Sequence, residues 1–538
     1  MINIFKIKKH FVTSFFILTL ALSLVLSTSA KKASALQIDV PLNQAIVYSG
    51  GESTNLRDYD PATTYSSGNK LVFSGLVSFD PHLNLTPDLA KSWDVSGDGT
   101  VYTFHLRDNA RFHDGRFVTA KDVVYSWERA ASPKIKSDTV LTYLGDIVGV
   151  REMFAGKADH ISGLKVIDDL TLQVTIDSPK PYFLLKLTFP TAFVVDKKNV
   201  ETGAEWVHTP NGTGPYHLKE WRPNEYIVYE ANQDFYLGVP SIPYVVVKLF
   251  AGDDLRLFET GDVDVAGVGI SDVDRMLDPT EPLHTQLVTG VDLCTSFVVF
   301  DTTKPPFDDV NVRKAFSMAF DRQRYIDVVL RGKALPAIGP FPPGLPGFNY
   351  QLKGLPYDPA QARELLKQSK YGGPEGLPPI VYTNGGIGSF VSPDVAAMAE
   401  MWQQNLGVTL KIENIDFNYY YQQIYSGNHG QIFSGGWCAD YPDPENFADV
   451  LFHSSSNQNQ GGYSNPELDK LLEQARVEQN VTKRIAMYQQ AEQMIVNDAP
   501  VLFTTHSLSY QLVKPYVKGF VFTPITVPLE RYMWLKGK

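Results

Sequence analysis

Three observations in the sequence predict an α/β protein of two or three domains. The first half reads as short alternating strands broken by turn residues. The second half interleaves strands with amphipathic helices, and about 500 residues follow an apolar leader. A chain of that length buries a large core, and 43% apolar with 20% charged residues is a globular composition.

The leader comes first. Lys6, Lys8 and Lys9 precede an apolar run over 11–25, softened by Thr13, Ser14 and Ser23. Small residues follow, with Ala33-Ser-Ala35 as a cleavage site and Ser29-Ala30 as an earlier candidate. This is the pattern of a secretory signal peptide over residues 1–35, the alternative being an uncleaved N-terminal anchor. No cysteine stands at the end of the run, so lipid attachment is not expected. No later stretch approaches the ~20 uninterrupted apolar residues of a membrane span. The expectation is a soluble, exported protein. Residues 1–35 hold five lysines and no acid, so their removal takes the net charge from −11 to −16. So acidic a surface argues against nucleic acid and anionic lipid as partners and weakly favours cationic ligands. The two cysteines, Cys294 and Cys438, lie 144 positions apart. In an exported protein they invite pairing, and two buried free thiols remain the alternative.

Along the chain, 101–107 alternates Tyr102, Phe104 and Leu106 against Thr103, His105 and Arg107 behind the turn cluster 96–99, which predicts a hairpin arm. Thr119 and Asp122 form a capping-box variant opening a helix with Val123, Val124 and Trp127 on one face. Residues 170–176 read as a strand, and 213–250 as strand-rich. Helical periodicity then covers 310–331, 359–370, 395–406 and 483–497, while Asn465-Pro466 caps a helix carrying Leu468, Leu471, Leu472 and Ala475. Strands are expected at 408–412, 431–433 and 501–503. Two proline-rich passages, 336–344 and 374–379, are candidate boundaries or hinges.

No catalytic constellation emerges. His-Glu-x-x-His, G-x-S-x-G and the phosphate-cradling G-x-x-x-x-G-K are all absent, and the eleven histidines are scattered. His113-Asp114 reads as a turn cornered by Gly115. The densest chemistry is 434–447, SGGWCADYPDPENF, with three carboxylates, a tryptophan and a cysteine in fourteen residues. An acid pair so local on a proline-interrupted loop has no fixed geometry for glycoside hydrolysis. The alternating acidic pattern of a calcium loop is missing too. Pro442 and Pro444 stiffen the loop so that Trp437, Cys438 and Asp440 point one way, or the acids are merely solvated.

Several stretches occur together in the order of a known family. They are Leu89-Ala-Lys-Ser-Trp93, Tyr102-Thr-Phe-His-Leu-Arg107, Phe112-His-Asp-Gly115, Thr119-Ala-Lys-Asp-Val-Val-Tyr-Ser-Trp127 and Gly212-Thr-Gly-Pro-Tyr216. Further along come Pro306-Phe-Asp-Asp-Val310, Val312-Arg-Lys-Ala315, Phe320-Asp-Arg322, Tyr357-Asp-Pro359 and Tyr463-Ser-Asn-Pro-Glu-Leu-Asp469. With these the chain resembles the family 5 extracellular solute-binding proteins of ABC transporters, the oligopeptide- and dipeptide-binding group.

The resemblance implies a type II periplasmic-binding-protein-like fold, two lobes closing about a hinge with an extra domain inserted in the N-terminal lobe. Lobe I would comprise 36–80, 194–293 and 511–538, the inserted domain 81–193, and the second ligand lobe 294–510. It further implies a monomeric receptor at the periplasmic or extracellular face of the cell membrane, passing a peptide or other small solute to ABC permease subunits, with no enzymatic activity, cofactor or metal. Asp440 would pair with the ligand's α-amino group. Main-chain groups beside it, at Gly436 and Cys438, would extend the peptide like an added strand, and Trp437 would line the cleft. Cys294 and Cys438 match the paired cysteines of such relatives. Tyr65 and Tyr143 are carried over by position. Asp443 and Glu445 are then turn and surface residues. One departure stands out: 425–436 offers His429 but no Arg or Lys for a ligand carboxylate. An oligosaccharide receptor and, more remotely, a secreted hydrolase are the alternative functions.

Overall fold

The computed structural model describes residues 38–53, 56–63, 69–386, 388 and 390–538. The leader with its cleavage sites, and Tyr65, lie outside the described residues.

The alternating segment folds as its pattern requires. Val101–Leu106 is a strand whose Tyr102, Phe104 and Leu106 are buried. It sits in a four-stranded antiparallel sheet, ordered Ala90–Val95, Val101–Leu106, Thr171–Thr175, Leu164–Asp168. Thr119 and Asp122 close their capping box on the helix Ala120–Ala131. Trp127 is fully buried and donates its indole N–H to the Ala192 carbonyl at 2.9 Å. Val124 turns out only half-buried, because the inward stripe runs through Val123, Ser126, Trp127 and Ala130. Residues between Ala62 and Val194 supply the core around this sheet.

A second four-stranded sheet joins Ala45–Gly50, Tyr244–Leu249, Tyr226–Ala231 and Tyr216–Arg222, with the first pair parallel. Its core draws in Val513, Val517 and Met533 from the far end of the chain. The motif at 212–216 has a packing reason. A Cβ on Gly212 would lie 1.9 Å from the Val72 carbonyl oxygen, and one on Gly214 2.5 Å from that of Leu71. The short helix Asn69–Val72 is thereby held directly on this loop.

The third sheet has seven strands, and two long ones run through its middle, Leu287–Phe300 and Val501–Val513. They pair antiparallel from Leu287↔Leu512 to Val291↔Leu508, lose register, and resume at Thr295↔His506. A bulge of this kind bends a strand and re-aims its side chains, and here it falls on Asp292, Leu293 and Cys294. Beyond it, Leu287–Phe300 also pairs with Ile432–Cys438. Neither Leu287–Phe300 nor Ile380–Gly386 is among the strands read from the sequence. The stretches at 431–433 and 501–503 are only the starts of longer strands. Sheet neighbours from distant parts of the chain extend them, overriding the Gly-rich 435–436.

The helical stretch 310–331 divides into Val310–Met318 and Arg322–Val328, because Asp321 accepts a hydrogen bond from the Arg324 N–H and starts a new helix. The other helices form within a few residues of expectation, with Asn465 and Asn480 as N-caps of Pro466–Val477 and Val481–Asp498. The passage at 336–344 is no linker: Ala337 and Phe341 are buried in the same core as Phe447 and Ile495. That core also takes in Phe79, Tyr143 and Phe189 from the first part of the chain. Among the described residues, no helix is long and apolar enough to cross a membrane.

Candidate functional site

Between the second and third sheets lies a partly open cavity of about 860 Å³, within the range typical of ligand sites (about 300–1,000 Å³). Gly436, Trp437, Cys438 and Asp440 all line it. Strand Ile432–Cys438 delivers them, fixed on one side by the register Ser296↔Gly436, Thr295↔Trp437 and Cys294↔Cys438. The last rung is covalent, since Cys294 and Cys438 form a disulfide. One further hydrogen bond, from the Ala439 N–H to the Leu293 carbonyl at 2.8 Å, carries the pairing to the edge of Asp440. On its other side the strand pairs with Ile380–Gly386 only at Ile432 and Phe433. Among the described residues the main chain of 434–438 thus has a sheet partner on one side only.

Asp440 is held by Asn446 and Tyr143. Its N–H donates to the Asn446 side-chain oxygen at 2.9 Å, and the same oxygen accepts the Trp437 indole N–H at 3.1 Å. The Tyr143 hydroxyl donates to the Asp440 carboxylate at 2.5 Å. Tyr143 is itself fully buried and stacked on Phe189, with centroids 3.7 Å apart and planes 5° from parallel. Two predicted site residues, 297 positions apart, therefore meet. Burial pushes the Asp440 carboxyl up to about 6, against the opposing pull of the Tyr143 hydrogen bond, the Lys70 charge and the Asn446 side chain.

Lys70 is the residue that sequence reasoning missed at this place. It lines the cavity from the short helix pinned by Gly212 and Gly214 and donates to the Thr526 carbonyl at 2.6 Å. Burial lowers its ammonium to about 8, opposed by Asp440. Asp254, Asp292, Glu530 and Tyr421 also line the cavity and were not foreseen. Among the described lining residues there are thus four carboxylates, counting Asp440, against one lysine. The Ser49 hydroxyl donates to Asp254 at 2.5 Å, and Glu530 shares a hydrogen bond with Tyr48. Asp292, on the bulge, has neither hydrogen bond nor cation among the described residues, and burial raises its carboxyl. Only folding brings these groups together, and no local pattern marks them.

Two expectations need correction. Asp443 and Glu445 are neither turn decoration nor surface: both are buried. Asp443 takes both terminal nitrogens of Arg484, at 2.9 and 2.6 Å. Glu445 meets the Lys186 ammonium at 3.0 Å and accepts from the Tyr441 hydroxyl. Isolated carboxylates cannot remain charged in such burial, and the partners that permit it come from 41 positions ahead and 259 behind. His113-Asp114 is a turn, with Gly115 at a φ of 90°. No group of three or more His, Cys, Asp or Glu that would hold a metal ion occurs among the described residues.

The chain matches known proteins over nearly its whole length. The family model "Bacterial extracellular solute-binding proteins, family 5 Middle" matches residues 84–459. The chain is 29% identical to the periplasmic oligopeptide-binding protein OppA of Salmonella typhimurium, covering 93% of this chain and 94% of the relative. The structure is similar to that of the Escherichia coli murein tripeptide binding protein MppA, with a TM-score of 0.80 at 30% identity, covering 91% of this chain and 98% of the other. Against the unliganded open form of MppA the TM-score falls to 0.67, at the same identity and covering 91% and 97%. Haemophilus influenzae OppA in complex with RPPGFSPFR gives 0.80 at 25% identity, covering 93% and 100%. The order of motifs, the α/β architecture and the match across most of the chain agree: the protein belongs to the bacterial extracellular solute-binding proteins of family 5.

Proposed function

We propose that the protein is an exported receptor of an ABC importer that captures peptides between two closing lobes and passes them, unaltered, to permease subunits. The observation that carries this is Asp440: a carboxylate at the wall of a ligand-sized cavity, gripped by Tyr143 and placed just past a strand whose pairing with Ile380–Gly386 stops at Phe433. An ammonium buried with its ligand needs such a partner. A strand with a free edge adds main-chain hydrogen bonds that are blind to side-chain identity. The peptide-binding relatives named above support the same reading. Lobe I at 36–80, 194–293 and 511–538, an inserted domain at 81–193 and a second lobe at 294–510 would fit the three sheets. The bulged pair Leu287–Phe300 and Val501–Val513 would then cross between lobes as the hinge. Greater likeness to the MppA structure than to its open form fits a closed state. Tyr65, Gly436, Trp437 and Cys438 belong to the proposed contact surface, and Lys70 supplies the cation for a ligand carboxylate that 425–436 lacks. Mass spectrometry of the small molecules released by denaturing the native protein tests the proposal. Peptides are expected, and a recovered oligosaccharide, or hydrolysis of added peptide, would overturn it.

The binding of free-amine peptides should depend on pH in a defined direction. The ligand ammonium pairs with ionised Asp440, whose carboxyl lies at about 6 before the ligand arrives. Affinity therefore falls as pH drops below about 6, by up to roughly tenfold per unit, because a proton must first leave. It falls again above about 8 as the peptide's α-amino group loses its proton. Calorimetric titrations across that range check both limbs, and an N-acetylated peptide should lose the limb below 6, while titration of Lys70 near 8 keeps a limb above it.

Charge in the ligand should matter as well. Asp254, Asp292 and Glu530 face the cavity alongside Asp440, with Lys70 their one cationic counterpart among the described lining residues. Ala-Lys-Ala is expected to bind about tenfold more tightly than Ala-Glu-Ala, and the gap should shrink in 1 M salt as screening shortens to ~3 Å. Equal affinities would remove any role for wall charge in selection.

A further inference from the structure

A buried charged cluster lies behind the Asp440 loop, and its members come from two separate cores. From the body built around residues 62–194 come Asp146, Lys180, Tyr182 and Lys186. From the body formed by the second half come Asp443, Glu445 and Arg484. Lys186 bridges them, 3.0 Å from Asp146 and 3.0 Å from Glu445, with side-chain exposures of 5% for the lysine and 4% for Glu445. Lys180 completes the near side, 2.6 Å from Asp146 and 2.6 Å from Asp177 at the rim. The Tyr182 ring lies beneath both Lys186, at 4.7 Å, and Arg484, at 5.2 Å.

The pairing within the second body is uneven. Asp443 has Arg484 and Asp449 has Arg476, each at 2.6 Å, whereas the one cation paired with Glu445 among the described residues is Lys186, supplied from across the interface. When the two bodies are apart, water solvates both Lys186 and Glu445. When they are together both are dry, and Glu445 depends on Lys186, which keeps Asp146 as a second partner. Removing Lys186 therefore penalises the closed arrangement far more than the open one. The same turn also carries the ligand site. Asn446, next to Glu445, holds the Asp440 N–H and the Trp437 indole, and the Tyr441 hydroxyl, next to Asp440, donates to Glu445. The first body thus grips this loop twice, through Tyr143 on Asp440 and Lys186 on Glu445.

We propose that Lys186 and Glu445 are a positioning pair that registers the two bodies around a bound ligand and holds the Asp440 loop in its ligand-binding geometry. The proposal rests on the peptide-receptor reading above. It expects loss of one partner to speed ligand escape while leaving capture by the open form nearly unchanged.

The test is stopped-flow tryptophan fluorescence with Ala-Ala-Ala as probe on wild type, Lys186→Met, Glu445→Gln, the double variant and Lys186→Arg. Lys186→Met, which leaves Glu445 without its cation, should raise the dissociation rate about tenfold or more, and Glu445→Gln, which leaves Lys186 on Asp146, should raise it less, with both association rates within about twofold. The double variant, which leaves no lone charge, should fall between wild type and the worse single, and Lys186→Arg should stay near wild type. Folded single variants with unchanged dissociation rates, or a double variant equal to the sum of the singles, would overturn the pair. Should a single variant fail to fold, the double carries the test against Lys186→Arg, with a dissociation rate equal to wild type counting against the pair. If wild type does not bind the tripeptide, the receptor reading fails rather than the pair. X-ray scattering of the ligand-free proteins then decides: a larger radius of gyration for Lys186→Met than for wild type supports the pair, and identical curves overturn it.

Discussion

Asp440→Asn is expected to weaken binding of free-amine peptides by about 2–4 kcal/mol, roughly 30- to 700-fold, while leaving the fold intact. The substitution keeps the shape of the side chain and an oxygen to accept the Tyr143 hydroxyl, so the stacked Tyr143–Phe189 pair is not disturbed. What it removes is the negative charge that permits the ligand's ammonium to leave water. Lys70 sharpens the effect. In the wild type its charge is offset by Asp440; in the variant the entering ammonium meets an uncompensated lysine. Titration of one peptide in free and N-acetylated forms against both proteins isolates the charge. The wild type should prefer the free form strongly and the variant hardly at all. Equal wild-type affinity for both forms would show that the α-amino group is held elsewhere.

Replacing Cys294 and Cys438 together by alanine is expected to lower the unfolding free energy by about 2–4 kcal/mol. Loop-closure entropy for a span of 144 residues sets the upper bound near 5. The effect on binding should exceed what stability alone predicts. The bridge is the last rung of the ladder that carries Trp437 and Asp440 into the cavity, and it ties that rung to the bulge bearing Asp292. Without it the rung rests on ordinary strand pairing and the Ala439–Leu293 hydrogen bond, and the loop frays from its end. Urea unfolding and peptide titration of the double variant check both parts. Unchanged midpoint and affinity would reduce the bridge to a passive feature.

Legibility from the sequence followed the range of the interactions. The hairpin arm at 101–106, the capping box at Thr119 and the Asn465 cap rest on neighbours within a few positions, so pattern and turn chemistry suffice to place them. Residues 310–331 show the limit of periodicity, since an apolar stripe continues through a break that one capping aspartate imposes. Within the site, Asp440, Trp437 and Gly436 stood in one segment, and family motifs pointed to it. The disulfide partner and Tyr143 came from that resemblance rather than from any spacing in this chain. Glu445 was misjudged because its sequence neighbours, two prolines and an asparagine, resemble a solvent-exposed turn, while its cation lies on another core.

By itself, then, the sequence determined the class of the fold and the position of the longest helices, and with the family motifs it marked the segment that carries the candidate carboxylate. Fold class and helix positions depend on short-range patterns of polarity and on turn residues. Only the tertiary structure decided what surrounds that carboxylate. The strands Leu287–Phe300 and Val501–Val513 run through the same sheet although more than two hundred positions separate them, and their pairing sets the bulge, the cavity wall and the exposed edge of 434–438. Lys70, Asp292, Glu530 and the Lys186–Glu445 pair acquire meaning only there. The cost of burying a charge depends on which groups lie within a few ångströms, and the folded chain alone sets those distances.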